Sequence, residues 1–144
     1  MMYLLDTNVI SELRNPAKTD PNVLAWAASQ PVTDQYLSAI TVLELELGVK
    51  RAERADPAKG QVLRKWLDRQ VLPRFGDRIL SFDARVAIQC AGLHVPDQRP
   101  LKDSMIAATA QIHGMKVVTR NIRDFEGIAV GLINPWEQWR GPEN

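Results

Sequence analysis

Four acidic side chains stand at positions where carboxylates could take part in chemistry. Asp6 directly follows the apolar run Met1–Leu5. Glu44 and Asp103 lie in the first turns of two predicted helices, and Asp124 follows a further apolar run. Carboxylates gathered in one cleft repel each other, so staying ionised at neutral pH requires a compensating cation. With oxygen ligands and no cysteine cage or histidine pair, the expected cation is Mg²⁺ or Mn²⁺.

Each of these acids also has a structural interpretation. Thr41 and Glu44 have the spacing of a helix capping box, which by itself favours a capping role for Glu44. Asp103 could complement a helix dipole, and Asp124 could open a turn. Asp6 has fewer structural explanations, because it comes directly after a short apolar strand. For Asp6 we therefore weigh a functional role above a structural one.

The elements that would position these acids alternate between short apolar runs and amphipathic stretches. This pattern predicts an α/β domain with a central, mostly parallel sheet of four or five strands flanked by helices. The predicted strands are Met1–Leu5, Gln35–Ile40, Arg78–Phe82, Met115–Thr119 and Ile128–Leu132. The predicted helices are Val9–Arg14, Pro21–Ala28, Thr41–Gly48, a longer one from Pro57 to Val71, Ala84–Leu93 and Lys102–His113. Ligands of such sheets collect outside the carboxyl ends of the strands, where the acids could converge.

Length and composition fit one globular domain over residues 1–144. Hydrophobic residues make up 45% of the chain and charged residues 24%, which excludes a disordered or collagen-like protein. No apolar stretch reaches the roughly 18 residues of a membrane span, and the start of the chain does not resemble a signal peptide. Cys90 is the only cysteine, which excludes an intrachain disulfide. We therefore expect a cytoplasmic protein without a membrane partner.

The net charge of +1 conceals a basic block in the middle of the chain. Residues 50–78 hold nine of the 18 Lys and Arg side chains but only four acids. Within the block, a predicted helix carries an apolar stripe and a set of basic residues. The stripe is Val62, Leu63, Trp66, Leu67 and Val71, and the basic residues are Lys59, Arg64, Lys65 and Arg69. Taken singly, each basic residue is typical of a solvated helix surface, whereas the group is a candidate patch for a polyanion.

Several other side chains with chemical potential favour structural roles. His94 and His113 lie near predicted helix ends without metal-ligand spacing and are predicted to be surface or terminal groups. Cys90, Trp26 and Trp66 are predicted core residues, and Trp136 and Trp139 are predicted to anchor the tail.

Ordered sequence motifs identify a resemblance to a known family. They are Leu4–Glu12, Leu37–Leu45, Leu101–Ala110, Val118–Phe125 and Ile133–Trp136. Together they run nearly the whole length of the chain. The sequence resembles the PIN-domain family, and within it the VapC and FitB-type toxins of bacterial toxin–antitoxin pairs.

The resemblance implies a small Mg²⁺- or Mn²⁺-dependent endoribonuclease, usually a homodimer. It also implies a cognate VapB- or FitA-like antitoxin that occupies the acidic groove, with DNA contacted only through that antitoxin. Hydrolysis by a metal-activated water predicts products with a 5′-phosphate and a 3′-hydroxyl. The basic patch on Lys59, Arg64, Lys65 and Arg69 could then contact RNA, the antitoxin or only solvent.

By the same resemblance, Asp6, Glu44 and Asp103 match the acids of the family's metal site. Many relatives have a fourth acid where this chain has Asn121, and Asp124 lies three residues further on. Either Asp124 supplies the fourth carboxylate or Asn121 supplies a neutral oxygen. Two further residues resemble supporting polar groups of the site, namely Asn8 and Thr119.

Two other functions remain open from the sequence. A haloacid-dehalogenase-type phosphatase also begins with a strand that ends in Asp, but Asn8 stands where its second acid would be, which counts against it. The second alternative is a PIN-fold binding module that mainly completes a DNA-binding complex with its antitoxin and has little nuclease activity.

Overall fold

The strands of the computed structural model, which describes residues 1–137, form one parallel sheet. Their order across the sheet is β3-β2-β1-β4-β5, and all four neighbouring pairs are parallel. The strands are β1 (Tyr3–Leu5), β2 (Gln35–Ser38), β3 (Ile79–Leu80), β4 (Lys116–Val118) and β5 (Leu132–Ile133). The predicted α/β fold with a mostly parallel sheet is confirmed. Trp139, predicted to anchor the tail, lies outside the described residues.

Helices cover both faces of this sheet. They are α1 (Thr7–Glu12), α2 (Pro21–Ser29), α3 (Ala39–Ala55), α4 (Pro57–Trp66), α5 (Leu72–Phe75), α6 (Ala84–Leu93) and α7 (Leu101–His113). A π-helical turn, Leu67–Val71, joins α4 to α5, and short 3-10 turns span Val32–Asp34, Gly76–Arg78 and Ile122–Phe125. Within residues 1–137, no helix combines the length and apolarity that crossing a bilayer demands.

The sheet and the helices on its two faces form three layers. This arrangement follows from the alternation of side chains along β1. Tyr3 and Leu5 pack into a core with the side chains of α1, α2 and α3, whereas Leu4 packs on the opposite face against Ile106 and Ala107 of α7. Successive side chains of a strand point to opposite faces, so one short strand contributes to two cores. The central strand is therefore buried on both sides, as its unbroken apolar run predicts.

The capping box predicted for Thr41 and Glu44 is wrong. The helix begins earlier, because the Ser38 hydroxyl accepts a hydrogen bond from the backbone N–H of Ile40 (3.0 Å) and caps α3 at its N-terminus. The preceding strand accordingly ends at Ser38 and not at Ile40. Thr41 is buried, and Glu44 lies in the second turn of the helix. This early start releases Glu44 from any capping role.

The predicted apolar stripe after Pro57 is also partly wrong, because Val62 is 57% exposed whereas Leu67 and Val71 are buried. Leu63, Leu67 and Val71 follow one another at intervals of four and define the buried face. Val62 is rotated by about 100° from Leu63, which places it at the solvent edge. On the same face of α4, a Cβ on the buried Gly60 would lie 2.4 Å from the Cα of Glu53, so glycine permits the close approach of α3 and α4.

The last predicted strand, Ile128–Leu132, is displaced. Residues before Leu132 form a turn in which the Val130 N–H donates to the Ile128 carbonyl (2.8 Å), and only Leu132 and Ile133 pair with β4. Ile128 packs beside Phe125 in the core under α7. Its apolar character thus reflects core packing and not strand pairing.

Candidate active site at the carboxyl end of the sheet

Asp6 lies at the rim of the sheet where the central strands β1 and β4 end side by side. Its carboxyl group is buried, with only 5% of the residue exposed. Oδ2 accepts hydrogen bonds from the Thr119 hydroxyl (2.7 Å) and from Asn8 Nδ2 (3.3 Å), and Oδ1 accepts one from the Thr7 backbone N–H (2.8 Å). Asp6 also caps α1. Three donors therefore fix the orientation of one buried carboxylate.

The polar residues around Asp6 form a connected network. Thr119 follows β4, and its hydroxyl accepts a hydrogen bond from the backbone N–H of Asn121 (3.0 Å). Asn8 Nδ2 lies 3.4 Å from the same hydroxyl, and Asn8 Oδ1 accepts from the backbone N–H of Arg120 (3.3 Å). The chain after β4 is thus tied to the start of α1 through side chains that also contact Asp6.

Glu44 reaches the same rim from α3. Its Oε1 accepts a hydrogen bond from the Thr7 hydroxyl (3.0 Å), and the Thr41 hydroxyl lies 3.4 Å from that of Thr7. Thr7 therefore touches two acids, because its backbone N–H donates to Asp6. Thr7 was not among the site residues predicted from the sequence. Its position directly after the strand-terminal aspartate was the signal that could have identified it.

The ionisation behaviour of Asp6 and Asp103 shows that the four acids share one region. Burial raises the pKa of Asp6, and the charge of Asp124 raises it further, against the lowering effect of the Thr119, Thr7 and Asn8 hydrogen bonds. The pKa of Asp103 is raised to about 6, first by burial and then by the negative charges of Asp6, Asp124 and Glu44. The negative charges of all three other acids therefore act on Asp103.

Within residues 1–137, little positive charge compensates this cluster of four carboxylates, which we call the acidic cleft (Asp6, Glu44, Asp103 and Asp124). Lys102 lowers the pKa of Asp103, and its ammonium lies 3.9 Å from Glu44 Oε2. An exposed lysine at that distance is a weak partner. The surroundings of Asp6 and Asp103 therefore disfavour the charged forms of these two carboxyl groups.

The acids converge without touching. Within residues 1–137, no three His, Cys, Asp or Glu side chains are grouped closely enough to form a ready-made metal site. Asp124 is exposed in the 3-10 turn Ile122–Phe125, where its N–H donates to the Asn121 carbonyl (3.1 Å). Asn121 itself is exposed and contacts the network through its backbone.

The candidate basic patch has a different environment from the one its sequence suggests. The Arg64 guanidinium lies within 2.8 Å of Glu46, 3.0 Å of Glu53 and 3.3 Å of Asp68. Arg64 thus links α3 to α4 and the following turn, and its charge is already balanced. The other members of the patch are exposed on the same helical segment, namely Lys59, Lys65 and Arg69.

A second hydrogen-bond network holds the start of α7, beside Asp103 in the chain. The fully buried Ser104 hydroxyl donates to the Leu101 carbonyl (2.7 Å) and lies 2.8 Å from His94 Nε2. The Arg99 backbone N–H donates to His94 Nδ1 (3.2 Å), and Arg99 Nη1 donates to the Glu126 carbonyl (2.6 Å). His94 is therefore not a free terminal group. It joins the loop before α7 to the residue that follows Asp103, a contact that no sequence spacing indicated.

Comparisons with known proteins agree with this geometry. The family model described as PIN domain matches residues 3–131. Toxin FitB of Neisseria gonorrhoeae is 44% identical over 142 residues, covering 94% of this chain and 99% of that protein. The VapC ribonuclease Y4jK of Sinorhizobium fredii is 41% identical over 143 residues, with the same two coverages. The structure of FitAB bound to an IR36 DNA fragment superposes with a TM-score of 0.86 at 39% identity, covering 98% of this chain and all of that one.

Proposed function

The chain belongs to the PIN-domain family, and on that premise we propose that it is the toxin of a toxin–antitoxin pair. It acts as a divalent-metal-dependent endoribonuclease that hydrolyses RNA phosphodiester bonds in the cytoplasm, with residues 1–144 forming one domain. The observation that carries this proposal is the convergence of Asp6, Glu44 and Asp124 on Asp103, whose pKa is raised to about 6 first by burial and then by the charges of these three acids. The relatives named as a toxin and a ribonuclease support the same conclusion.

The acidic cleft fits a hard divalent cation. All four side chains offer carboxylate oxygens, the ligands that Mg²⁺ and Mn²⁺ prefer. A bound cation would reduce the repulsion between their negative charges. Asp6, Glu44 and Asp103 would hold the ion. Because the acids are not grouped as a ready-made site, binding would draw exposed side chains inward. The cation would supply Lewis acidity and lower the pKa of an attacking water.

The protein's own residues would contribute orientation and charge. Thr119, Asn8 and the Thr7 N–H hold the Asp6 carboxylate in one orientation, so little reorganisation is needed when charge develops at the phosphate. The Thr7 hydroxyl holds Glu44 in the same way. Because water and not the 2′-hydroxyl of RNA is the nucleophile in this scheme, the products carry a 5′-phosphate and a 3′-hydroxyl.

Asp124 is our choice for the fourth acid. Its charge raises the pKa of both Asp6 and Asp103, so it lies within electrostatic reach of the buried carboxylates. Asn121 donates its backbone N–H to the Thr119 hydroxyl, a contact that does not use its side chain.

The partners in this proposal are RNA, a VapB- or FitA-like antitoxin and a second copy of the chain. The antitoxin would occupy the acidic cleft and hold the enzyme inactive, and DNA would be contacted only through it. The structural relative FitAB was solved with DNA, which supports a place in such a complex.

A binding module with little nuclease activity is the second candidate. The separation of the four acids in residues 1–137 favours it, since a cation site that must be assembled could be too weak to work. The DNA-bound state of FitAB favours it as well.

Cleavage of RNA by the purified protein separates the two candidates. We expect cleavage with Mg²⁺ or Mn²⁺, loss of cleavage with EDTA, and recovery when the metal is restored. Products with 2′,3′-cyclic phosphate ends would contradict hydrolysis by water. A folded protein that cleaves no RNA under any of these conditions, yet completes a DNA complex with its antitoxin, would establish the binding module instead.

A further inference from the structure

A small cavity adjoins the acidic cleft and shares Glu44 with it. Its volume is about 150 Å³, and it lies between α1, α3 and α4. Glu44 lines the cavity, and so does Thr7, whose hydroxyl donates to Glu44. A ligand whose phosphate lay in the cleft would therefore have its next chemical group at the opening of this cavity.

The lining of the cavity changes from apolar to polar. Leu45 and Val49 are buried parts of the wall, and Trp66 contributes a half-buried indole. Ser11 and Arg14 are exposed parts of the wall. An apolar, partly aromatic interior with hydrogen-bonding groups at the solvent side matches a flat heterocycle with polar edges.

The size of the cavity also fits such a group. At roughly 30 Å³ per water molecule, its volume corresponds to about five waters. That is the space of a single ring system and not of a peptide helix. A positively charged Arg14 beside the wall would favour the phosphate that accompanies each base.

We propose that this cavity is a subsite for one unpaired nucleobase of the RNA, next to the phosphodiester bond that lies in the acidic cleft. The subsite rests on the proposed ribonuclease function and adds a source of sequence preference to it. Stacking on Trp66 tolerates several bases, and the polar groups at the opening discriminate among them.

Gly48 offers a direct test, because it lines the cavity from the middle of α3 and a Cβ at this position would meet no atom within 4 Å. The variant Gly48→Leu places a side chain in the cavity without a backbone clash, and leucine favours a helix more than glycine does. Gly92→Leu is the matched control. Gly92 is another exposed helical glycine with open space at its Cβ, in α6 and away from the cavity.

The experiment uses a pool of single-stranded RNA with a randomised segment, cleaved in Mg²⁺ and sequenced at the cut ends. We expect the original protein to show a base preference at one position beside the cut. In Gly48→Leu this preference is lost at that position alone, and KM rises by roughly 10-fold. Gly92→Leu keeps both the preference and KM. Removing the base at that position from the substrate should cost the original protein the same factor, with no further loss in Gly48→Leu.

Three results would overturn the subsite. An unchanged base preference and KM in folded Gly48→Leu would do so. So would an equal loss on the base-containing and the abasic substrate. Loss of antitoxin binding in Gly48→Leu with normal RNA preference would assign the cavity to a side chain of the antitoxin.

A direct binding measurement separates the subsite from the enzyme activity. Each of the four nucleoside monophosphates is titrated into the protein while NMR signals of the residues around Gly48 are followed. Shifts in the original protein and in Gly92→Leu, but not in Gly48→Leu, support the subsite even if no RNA is cleaved. Absence of such shifts at saturating nucleotide overturns it even if RNA is cleaved.

Discussion

Two clusters of acidic side chains lie on either side of α3, and they have opposite electrostatic environments. In the acidic cleft, Asp6, Glu44, Asp103 and Asp124 converge, and within residues 1–137 the ammonium of Lys102 is their weak, exposed cationic neighbour. In the helical pair α3 and α4, three acids surround one guanidinium, that of Arg64. We call this second group the Arg64 cluster (Arg64, Glu46, Glu53 and Asp68).

The pKa changes in the two clusters run in opposite directions. Burial and neighbouring negative charges raise the pKa of Asp103 to about 6. In the Arg64 cluster, the hydrogen bond from Arg64 lowers the pKa of Glu53. The first environment disfavours the charged carboxylate, whereas the second favours it.

The difference separates acids that stabilise the fold from acids that stay available for a ligand. A carboxylate that is already paired with an arginine has little remaining affinity for a cation or a substrate. Carboxylates that repel one another at the rim of a rigid sheet lower their free energy when a cation binds. The acid-rich segments of the sequence look alike, and only their partners tell them apart.

Asp6→Asn should produce the largest effect, because it removes the buried carboxylate at the centre of the cleft. We expect RNA cleavage in Mg²⁺ to fall by about 1,000-fold, while circular dichroism shows the same fold. Glu53→Gln in the Arg64 cluster is the control and should cleave normally. Equal cleavage by Asp6→Asn and the original protein would contradict a functional difference between the two clusters.

Thr119→Val should reduce metal affinity or RNA cleavage by a smaller amount. It keeps the shape of a fully buried side chain but removes the hydroxyl that donates to Asp6 at 2.7 Å. Loss of such a supporting hydrogen bond typically costs 10- to 100-fold in metal affinity or activity, which a Mg²⁺ titration of cleavage would measure. Thr109→Val is the matched control, since that buried hydroxyl donates to the Met105 carbonyl within α7. Similar losses in both variants would show only a packing effect.

Asp103→Asn should stabilise the metal-free protein. The folded pKa of Asp103 is about 6, above the unfolded value of 3.8, so folding favours its protonated form. Its stabilising contribution is complete below pH 3.8 and is lost as the pH rises through about 6. At pH 7.5, with EDTA, we expect Asp103→Asn to raise Tm by about 2–4 °C after allowance for solvent screening.

The same substitution should have less effect on Tm at pH 4.5, and Mg²⁺ should raise the Tm of the original protein but not that of the variant. Thermal denaturation at the two pH values, with and without Mg²⁺, measures each of these differences. A lower Tm for Asp103→Asn at pH 7.5 would show that the cleft is not a region of net repulsion.

Arg64→Met should have the smallest effect on cleavage and a modest one on stability. Three carboxylates lose their common partner, so Tm should decrease, with a smaller decrease at high salt. Cleavage and KM for RNA should stay unchanged, because Arg64 is engaged within the fold. Lys65→Met tests the exposed neighbour on the same helix. A salt-dependent rise in KM for both variants would place the whole basic segment in contact with RNA.

The local sequence predicted the parts of the structure that depend on neighbouring residues. The apolar run before Asp6 predicted a buried strand, and Asp20 with Pro21 predicted the start of α2 at the observed residue. Gly114 ends α7 in the left-handed conformation that favours glycine. The ordered motifs identified the PIN-domain family, which the family model confirms.

Other features could not be obtained from the sequence, since they depend on residues far apart in the chain. The hydroxyl of Thr7 meets Glu44 across 37 positions, and that of Thr119 meets Asp6 across 113. The link between His94 and Ser104 depends on how one loop folds back on α7. The sequence placed Arg64 in a candidate basic patch. In the folded chain, the packing of α3 against α4 surrounds its guanidinium with acids.

The sequence by itself therefore determined the order of the main strands and helices, and that Asp6 follows a strand and Asp103 lies in the first turn of a helix. Periodicity and capping depend on residues a few positions apart, so they can be recognised in the sequence. The tertiary structure alone decided which charges remain uncompensated. An acid has the same charge wherever it stands in the sequence, but its pKa depends on burial and on the charges that folding brings beside it.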